Sequence, residues 1–475
     1  MAGVASARGR TAMRRRELSV PAQHLLNLGV LEKKTTYLDY GCGRGDDVDA
    51  LKSMGYAARG WDPIHRTSTR RLLVDVVSCN YVLNVIDDPA ERREVVAAAW
   101  GLTRKTMLVS ARLEHEQDEA HIVPRGDGWI TSAGTFQKFF SHQELAGLIR
   151  SATGFDADAV APGVFAIFRS AADRQAWKAR RMRTPSSLRL APKSSELLTS
   201  QKEALEPLID FVLERGRLPQ ADELDEFQAA LEQFGSVKVA FQVVIRATDR
   251  EAWKQAAAVR SIDVLAFLAL AQFDGVDRMG LLADELQRDV RAHFGSFKNA
   301  HAKATRLLFS SGEAAAVDLA CRASGIGKLT PSALYLHRSG IRELPALLRV
   351  VLGCGQRVVG EIPEANVVKI HRTQPKISYL QYPDFDNDAH PWLERGWVLD
   401  LYEQSLKTSY FGNRSNRPIL HRLQEFLPKT DPRYEDLRWL TDEEEKAGLY
   451  ANPSTIGTEA GWSAALAQSK RASVT

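Results

Sequence analysis

Ten residues, Tyr37-Leu-Asp-Tyr-Gly-Cys-Gly-Arg-Gly-Asp46, constrain this chain more than any others. An apolar strand pattern carries Asp39 near its end. Gly41, Gly43 and Gly45 follow at alternate positions, and a helical pattern starts directly after them. Glycine lets a backbone take positive φ and pass close beneath a ligand. The helix start behind it offers free N–H groups. Two common uses of such a loop fail on spacing. A dinucleotide loop needs G-x-G-x-x-G, and here the third glycine comes one residue early. A phosphate loop needs a Lys after its last glycine, and Arg44-Gly45-Asp46 supplies none.

The residues around the loop predict its scaffold. Thr36–Tyr40, Ala57–Trp61, Asp75–Cys79, Thr106–Ala111 and Val164–Phe168 read as strands. Asp47–Met54, Pro89–Leu102 and His142–Thr153 read as helices between them. This alternation predicts a doubly wound, Rossmann-like α/β sheet over residues 1–170. A basic Pro/Ser linker is expected over 171–195, a helical region over 196–325, and a β-rich α+β domain with a helical tail over 326–475. In the helical region Leu205, Leu208, Ile209, Val212 and Leu213 share one face. The β-rich character is expected through RVVGEI, NVVKIHR and KISYLQY.

Composition narrows the class. The 475 residues hold 63 Lys and Arg against 59 Asp and Glu, too even a balance to imply nucleic acid by itself. The basic residues are clustered, however. Arg8, Arg10, Arg14, Arg15 and Arg16 crowd one end, and Arg169 to Lys193 forms a second group. Either is expected to be solvated surface or a footprint for phosphates. No apolar run is long enough to predict a membrane span. The first residues lack the apolar core of a signal peptide, and their Arg and Ala content is that of an organelle transit peptide. Cys42, Cys79, Cys321 and Cys354 stand far apart with no C-x-x-C pair. That spacing predicts neither a disulfide framework nor a zinc site, and it fits a reducing cytoplasm.

The string D-x-G-x-G-x-G resembles motif I of class I S-adenosylmethionine-dependent methyltransferases. The resemblance implies that Asp39 faces the ammonium group of S-adenosylmethionine and that Gly41, Gly43 and Gly45 make room for its amino acid and ribose. Asp62 ends the second strand seventeen residues after Gly45. It resembles motif II, whose acid holds ribose hydroxyls; an acid at a strand's carboxyl end suits that role. The segment from Asp75 to Asp88 resembles the motif IV region, and places Asn80, Tyr81 and Asn84 where methyl group and target meet. Asn80 and Tyr81 are the candidate catalytic residues. Transfer is expected to be in-line, from sulfonium to a substrate N or O, with the protein chiefly positioning the partners.

Two departures from the motif pattern stand out. Twelve residues separate Asp62 from Asp75, too few for the usual helix and third strand, so an unusual adenine pocket is expected. Motif IV has neither Asp/Asn-Pro-Pro-Tyr/Phe nor a Pro-Cys nucleophile. Cys79 follows Ser78 and reads as a small core residue.

The wider chain is similar to the bacterial DNA phosphorothioation-associated methyltransferases. RTAMRRRELS, DYGCGRGDDV, GWDPIHR, NYVLNVIDDPAER, GTFQKFF and APGVFAIFR carry that similarity, with FGSFKNAHAKATRLLF, KISYLQYPDFDNDAHPWL and ILHRLQEFL downstream. It implies an association with the systems that put sulfur into the DNA backbone, whose components are the expected partners; the basic clusters and the similarity together make DNA the expected acceptor. The alternatives are a non-catalytic nucleic-acid-binding or docking component, and an RNA or small-molecule methyltransferase.

Three further constellations are legible. Phe136, Phe139 and Phe140 with Gln137 and Lys138 would stack a base or pack a core. Asp384, Asp386, Asp388 and His390 fall within seven residues, but without the glycine and distal glutamate of an EF-hand. A turn rich in caps is expected there and no metal. Lys369, His371, Arg372, Lys376 and Tyr379 would face phosphate.

Overall fold

The computed structural model describes residues 8–12, 14–116, 122–183 and 201–472. The first strands lie where the alternation places them: β1 Thr36–Tyr40, β2 Ala57–Trp61, β3 Val74–Asn80 and β4 Thr103–Ser110. A small sheet follows, with β5 Ile122–Arg125, β6 Gly128–Thr131 and β7 Phe136–Gln137. The hairpin β8 Asp158–Ala161 and β9 Val164–Phe168 returns to the main sheet. Its strand order is β2-β1-β3-β4-β9-β8. The first four strands run parallel, and β9 is antiparallel to β4. β2 is an edge strand, and residues 62–73 add no strand outside it.

Helices cover both faces. α1 Val20–Asn27 and α2 Asp46–Ser53 bury Leu25 and Leu51 against Tyr37, Ala58 and Val76 on one face. α3 Pro89–Gly101 and α4 His142–Thr153 bury Val96, Trp100, Leu145 and Ile149 against Leu38, Val77 and Val109 on the other. A strand buried on both faces reads as a near-continuous apolar run, as VDVVSC does in β3.

The expected linker begins instead as a helix, α5 Ala171–Met182. Trp177 packs against Phe168 of β9 with ring centroids 5.3 Å apart. The charge of α5 is neutralised from afar. Arg174 meets Asp158 at 2.5 Å, Lys178 meets both Asp158 and Asp274 at 2.6 Å, and Arg181 meets Glu361 at 2.8 Å. Residues 184–200, with the rest of the basic cluster, lie outside the described residues.

From Lys202 to Arg322 the chain is helical, with Leu205, Leu208 and Val212 buried on one face. Helix Arg250–Ala271 is long and apolar enough to cross a membrane by length and composition, yet half of its apolar window is buried. It packs against α5 and the helices Phe297–Ser310 and Ala346–Val359. Inside it Asp263 pairs with Arg260 at 2.8 Å and with Arg349 at 2.7 Å.

The last region is an antiparallel sheet, β10 Lys328–Leu329, β11 Ala333–His337, β12 Val367–His371, β13 Lys376–Gln381, β14 Arg395–Asp400 and β15 Ser405–Tyr410, in that order. RVVGEI departs from the expected strand, because Arg357-Val358-Val359 ends helix Ala346–Val359. That helix covers the sheet with Leu348 and Leu352, and it also meets β8. Glu361 N–H donates to Val160 O at 2.7 Å, so the β8 edge is covered rather than left open. The tail ends in helices Tyr434–Lys446 and Glu459–Ala472.

Candidate cofactor and acceptor cavity

A cavity of about 450 Å³ opens across the carboxyl ends of β2, β1, β3 and β4. Asp39, Gly41, Gly43, Gly45, Asp62, Asn80 and Tyr81 all line it. The loop holds its shape through β2: Gly41 and Cys42 N–H both donate to Trp61 O, at 2.7 and 3.1 Å. Gly41 has φ +84°, and a Cβ there would stand 2.4 Å from Val82 Cγ2. Gly45 caps α2 with φ +86°. No side chain caps that helix start, so its first N–H groups face the cavity end. Asp46, Asp47 and Asp49 occupy the first turn. Asp49 is paired with Arg66, while Asp46 and Asp47 line the cavity, and their charge disfavours a phosphate and favours a neutral or cationic ligand.

Asp39 is 4% exposed. Ser78, its register partner on β3, donates to Asp39 Oδ1 at 2.8 Å. Tyr37 sits 2.6 Å behind Ser78. Burial pushes the Asp39 carboxyl up to about 7, against the opposing pull of the Ser78 hydrogen bond; Asp47 adds to the rise. A cation placed beside it would favour the charged form.

Asp62 binds its own neighbourhood. Oδ2 accepts from Gly43 N–H at 3.0 Å, while Oδ1 accepts from Ile64 and His65 N–H at 2.8 Å each. It therefore ties the glycine loop to the turn after β2. One lone pair on Oδ2 remains for a ligand.

At the β3 end, Asn80 Oδ1 accepts from the Ser110 hydroxyl at 3.2 Å, and its buried Nδ2 has no partner. Tyr81 takes φ +58°, uncommon for a residue with a side chain. Its backbone N–H donates to Ser110 O at 2.9 Å, and burial raises its hydroxyl pKa. Asn84 is structural: Oδ1 accepts from Arg112 N–H at 3.0 Å, and Nδ2 donates to Arg112 O at 3.4 Å and to Lys138 O.

Sequence reasoning missed the strap over this cavity. Arg8, Gly9, Thr11, Ala12 and Arg15 line it. Arg8 pairs with Asp87 at 2.7 Å and with Glu91 at 2.6 Å. Gly9 O meets His65 Nε2 at 3.1 Å, and Arg15 N–H donates to Asp46 at 2.6 Å. Arg15 stands 5.8 Å from the Tyr81 ring. Arg112, after β4, and Gln137, on β7, complete the wall. The basic cluster and the GTFQKFF segment single out Arg8, Arg15 and Gln137, while Gly9, Thr11, Ala12 and Arg112 carry no local signal; contacts made across the fold bring them all to the cavity.

Other expectations resolve as packing. Phe139 and Phe140 are buried, and Lys138 pairs with Glu144 at 3.0 Å. Arg92 lies 5.7 Å over the Phe136 ring. Of that group only Gln137 reaches the cavity. Cys79 is fully buried and its thiol is pushed up to about 12 by burial. Arg372 pairs with Asp318 at 2.5 Å, Lys376 with Asp400 at 3.4 Å, and Tyr379 is buried. Asp384 and Asp388 shape a turn, Asp386 pairs with Arg433, and His390 meets Glu444 at 2.9 Å. Among the described residues no group of His, Cys, Asp and Glu could hold a metal ion.

No protein-family model matches the chain, and no curated protein matches it. Among solved structures it is similar to the sugar N-methyltransferase KedS8 from Streptoalloteichus sp. ATCC 53650, at 14% identity over 32% of this chain and 88% of that one, with TM-score 0.27. It is similar to the 1,6-didemethyltoxoflavin-N1-methyltransferase of Burkholderia thailandensis, at 17% identity over 35% and 80% of the two chains, TM-score 0.25. A third is CalS10, an amino pentose methyltransferase from Micromonospora echinaspora, at 15% identity over 36% and 97%, TM-score 0.26.

Proposed function

We propose that this chain is an S-adenosylmethionine-dependent methyltransferase associated with DNA phosphorothioation and acting on DNA. The observation that carries the cofactor assignment is Asp39. A carboxyl held near pH 7 by burial, at the strand end beneath a glycine loop, gains most from a cationic ligand. The acidic first turn of α2 opposes a phosphate at the same place.

When bound, the cofactor would supply a methyl group already activated on a sulfonium. The chain's own groups bind and orient. Asp39 faces the ammonium group, and the Gly41 to Gly45 backbone makes room beside it. Asp62 offers its remaining lone pair to a ribose hydroxyl. Arg15, beside Tyr81, faces the cofactor's carboxylate. Asn80 and Tyr81 stand at the reacting end, where holding nucleophile and methyl carbon in line supplies most of the rate. The strap excludes water from this end.

The DNA assignment rests on the family resemblance and on Arg14, Arg15 and Arg16, which are exposed, Arg15 at the cavity itself. A docking role without catalysis is favoured by β2 being the sheet edge, which leaves the adenine side with less wall than a further strand would give. Labelled methyl from S-adenosylmethionine separates these readings. Label on DNA, absent with Asp39→Ala, is the expected result. Label on RNA alone would overturn the DNA assignment. Saturable cofactor binding with no transfer to any acceptor would overturn catalysis in favour of docking.

A further inference from the structure

The cavity wall is electrostatically lopsided. Its acids Asp39, Asp46, Asp47 and Asp62 gather at the β1–β2 end, and Glu91 is engaged by Arg8. The β3–β4 end has Asn80, Tyr81, Val85, Ile86, Gln137 and Arg112. Arg112 differs from several arginines of this unit. Arg8, Arg66, Arg92 and Arg174 each grip a carboxylate. Arg112 has no carboxylate partner among the described residues. Its backbone is clamped, with N–H on Asn84 Oδ1 at 3.0 Å and C=O on Phe140 N–H at 3.0 Å. The guanidinium is thus held at the cavity by a fixed backbone while its donors stay open. Two more groups at this end lack partners although buried: the donor Asn80 Nδ2 and the acceptor Gln137 Oε1.

We infer that the methyl acceptor carries an oxyanion, a carboxylate or a phosphate, bound by the Arg112 guanidinium and the Asn80 amide N–H. The adjoining N–H or O–H of the acceptor donates to Gln137 Oε1. This deepens the methyltransferase reading and rests on it for the word acceptor; the anion site itself is testable without cofactor. A guanidinium presents a planar fork of donors that matches either oxyanion. Arg112 acts at this end of the cavity together with Arg15: both oppose the rise in the Tyr81 hydroxyl pKa that burial, Glu116 and Asp47 cause.

The test follows the Asn80 side-chain amide signals, which wild type and both variants retain, by nuclear magnetic resonance in full-length protein at constant ionic strength. Acetate, inorganic phosphate and dimethyl phosphate are titrated separately, with and without S-adenosylhomocysteine. The expected result is saturable binding of at least one anion, weakened about tenfold or more in Arg112→Gln and by less in Arg112→Lys, which keeps the charge and loses the fork. Preference among the three anions distinguishes a carboxylate, a phosphate monoester and a nucleic-acid diester as source. Equal binding by wild type and Arg112→Gln would overturn the inference, as would no anion binding in wild type that still binds S-adenosylhomocysteine. Anion binding intact with no response to S-adenosylhomocysteine would instead overturn the methyltransferase reading. Unchanged unfolding midpoints in both variants keep the comparison free of a folding defect.

Discussion

Ser78 Oγ donates to Asp39 Oδ1 at 2.8 Å from the neighbouring strand, and Tyr37 completes the chain 2.6 Å behind it. Register makes this possible, because Asp39 and Ser78 are paired residues of β1 and β3. The contact opposes the burial that lifts the Asp39 pKa to about 7. Ser78→Ala removes the opposing hydrogen bond and is expected to raise that value by about one unit, a net hydrogen bond to a charged group. Carbon-13 titration of the Asp39 carboxyl reads the shift. A value unmoved in Ser78→Ala would show that the hydroxyl does not act on the charge.

The sign of the stability effect follows from the raised value. A carboxyl whose folded pKa exceeds its unfolded one stabilises the protein at low pH, and this contribution is lost as pH rises through about 7. Asp39→Asn is therefore expected to be more stable than wild type at pH 8, by roughly 1–3 kcal/mol, and close to it at pH 4. Urea unfolding at both values measures the difference. The same variant should lose cofactor, a site bought with stability.

Gly41 tests the loop. At φ +84°, with Val82 Cγ2 2.4 Å from an added Cβ, Gly41→Ala meets both a conformational and a steric penalty. The left-handed backbone alone costs about 1–2 kcal/mol. Adding Val82→Ala should recover the steric share and leave the conformational one. A double-mutant cycle in denaturant gives the split, and strict additivity would rule the contact out.

The strap depends on Arg8 between Asp87 and Glu91. Partly exposed ion pairs contribute about 1 kcal/mol or less, and salt screens them. Arg8→Gln should change global stability little yet speed amide hydrogen exchange of Thr11 and Ala12, whose N–H groups bond to Arg8 O and Gly9 O. The rate should respond to salt in wild type and not in the variant. Exchange in Arg8→Gln as slow as in wild type would show that the ion pairs do not hold the strap.

Asp274 joins the α/β unit to the helices. Burial would raise its pKa, but Lys178, Arg174 and Arg357 overcome that and hold it near 2. This lowered value gives stability that is present above about pH 4 and lost as pH falls towards 2. Asp274→Asn leaves Arg357 without its carboxylate and Arg174 and Lys178 with Asp158 alone, and is expected to cost about 1–3 kcal/mol at pH 7. The acid limb of its stability profile should flatten. Chemical denaturation between pH 3 and 7 checks both.

Much of the sheet was legible because its strands are short apolar runs bounded by turn residues. Thr36–Tyr40, Ala57–Trp61, Val164–Phe168 and helix His142–Thr153 lie where their patterns end. The absence of a strand between Asp62 and Asp75 followed from length alone. What failed had non-local causes. α5 looks like a linker because Asp173 is the one acid among Arg174, Lys178, Arg180 and Arg181; the partners that pair with its cations are Asp158, Asp274 and Glu361. RVVGEI has strand residues, yet its first three finish a helix that packs on two units. In the site, the glycine loop and its acids announce themselves by spacing. Arg112 carries no signal, and Arg15 and Gln137 stand out only as members of a basic cluster and an aromatic segment; a strap, a loop after β4 and a small sheet bring the three to the cavity.

The most direct measurement is calorimetric titration of the full chain with S-adenosylmethionine at pH 7 in two buffers of different ionisation enthalpy. The account predicts saturable binding that releases protons, because Asp39, lifted by burial to about 7, is partly protonated before a cation arrives. Asp39→Asn should bind more weakly and release none, and Asp62→Ala should bind more weakly with the release kept. Absence of heat at millimolar cofactor, or binding indifferent to both residues, would contradict it.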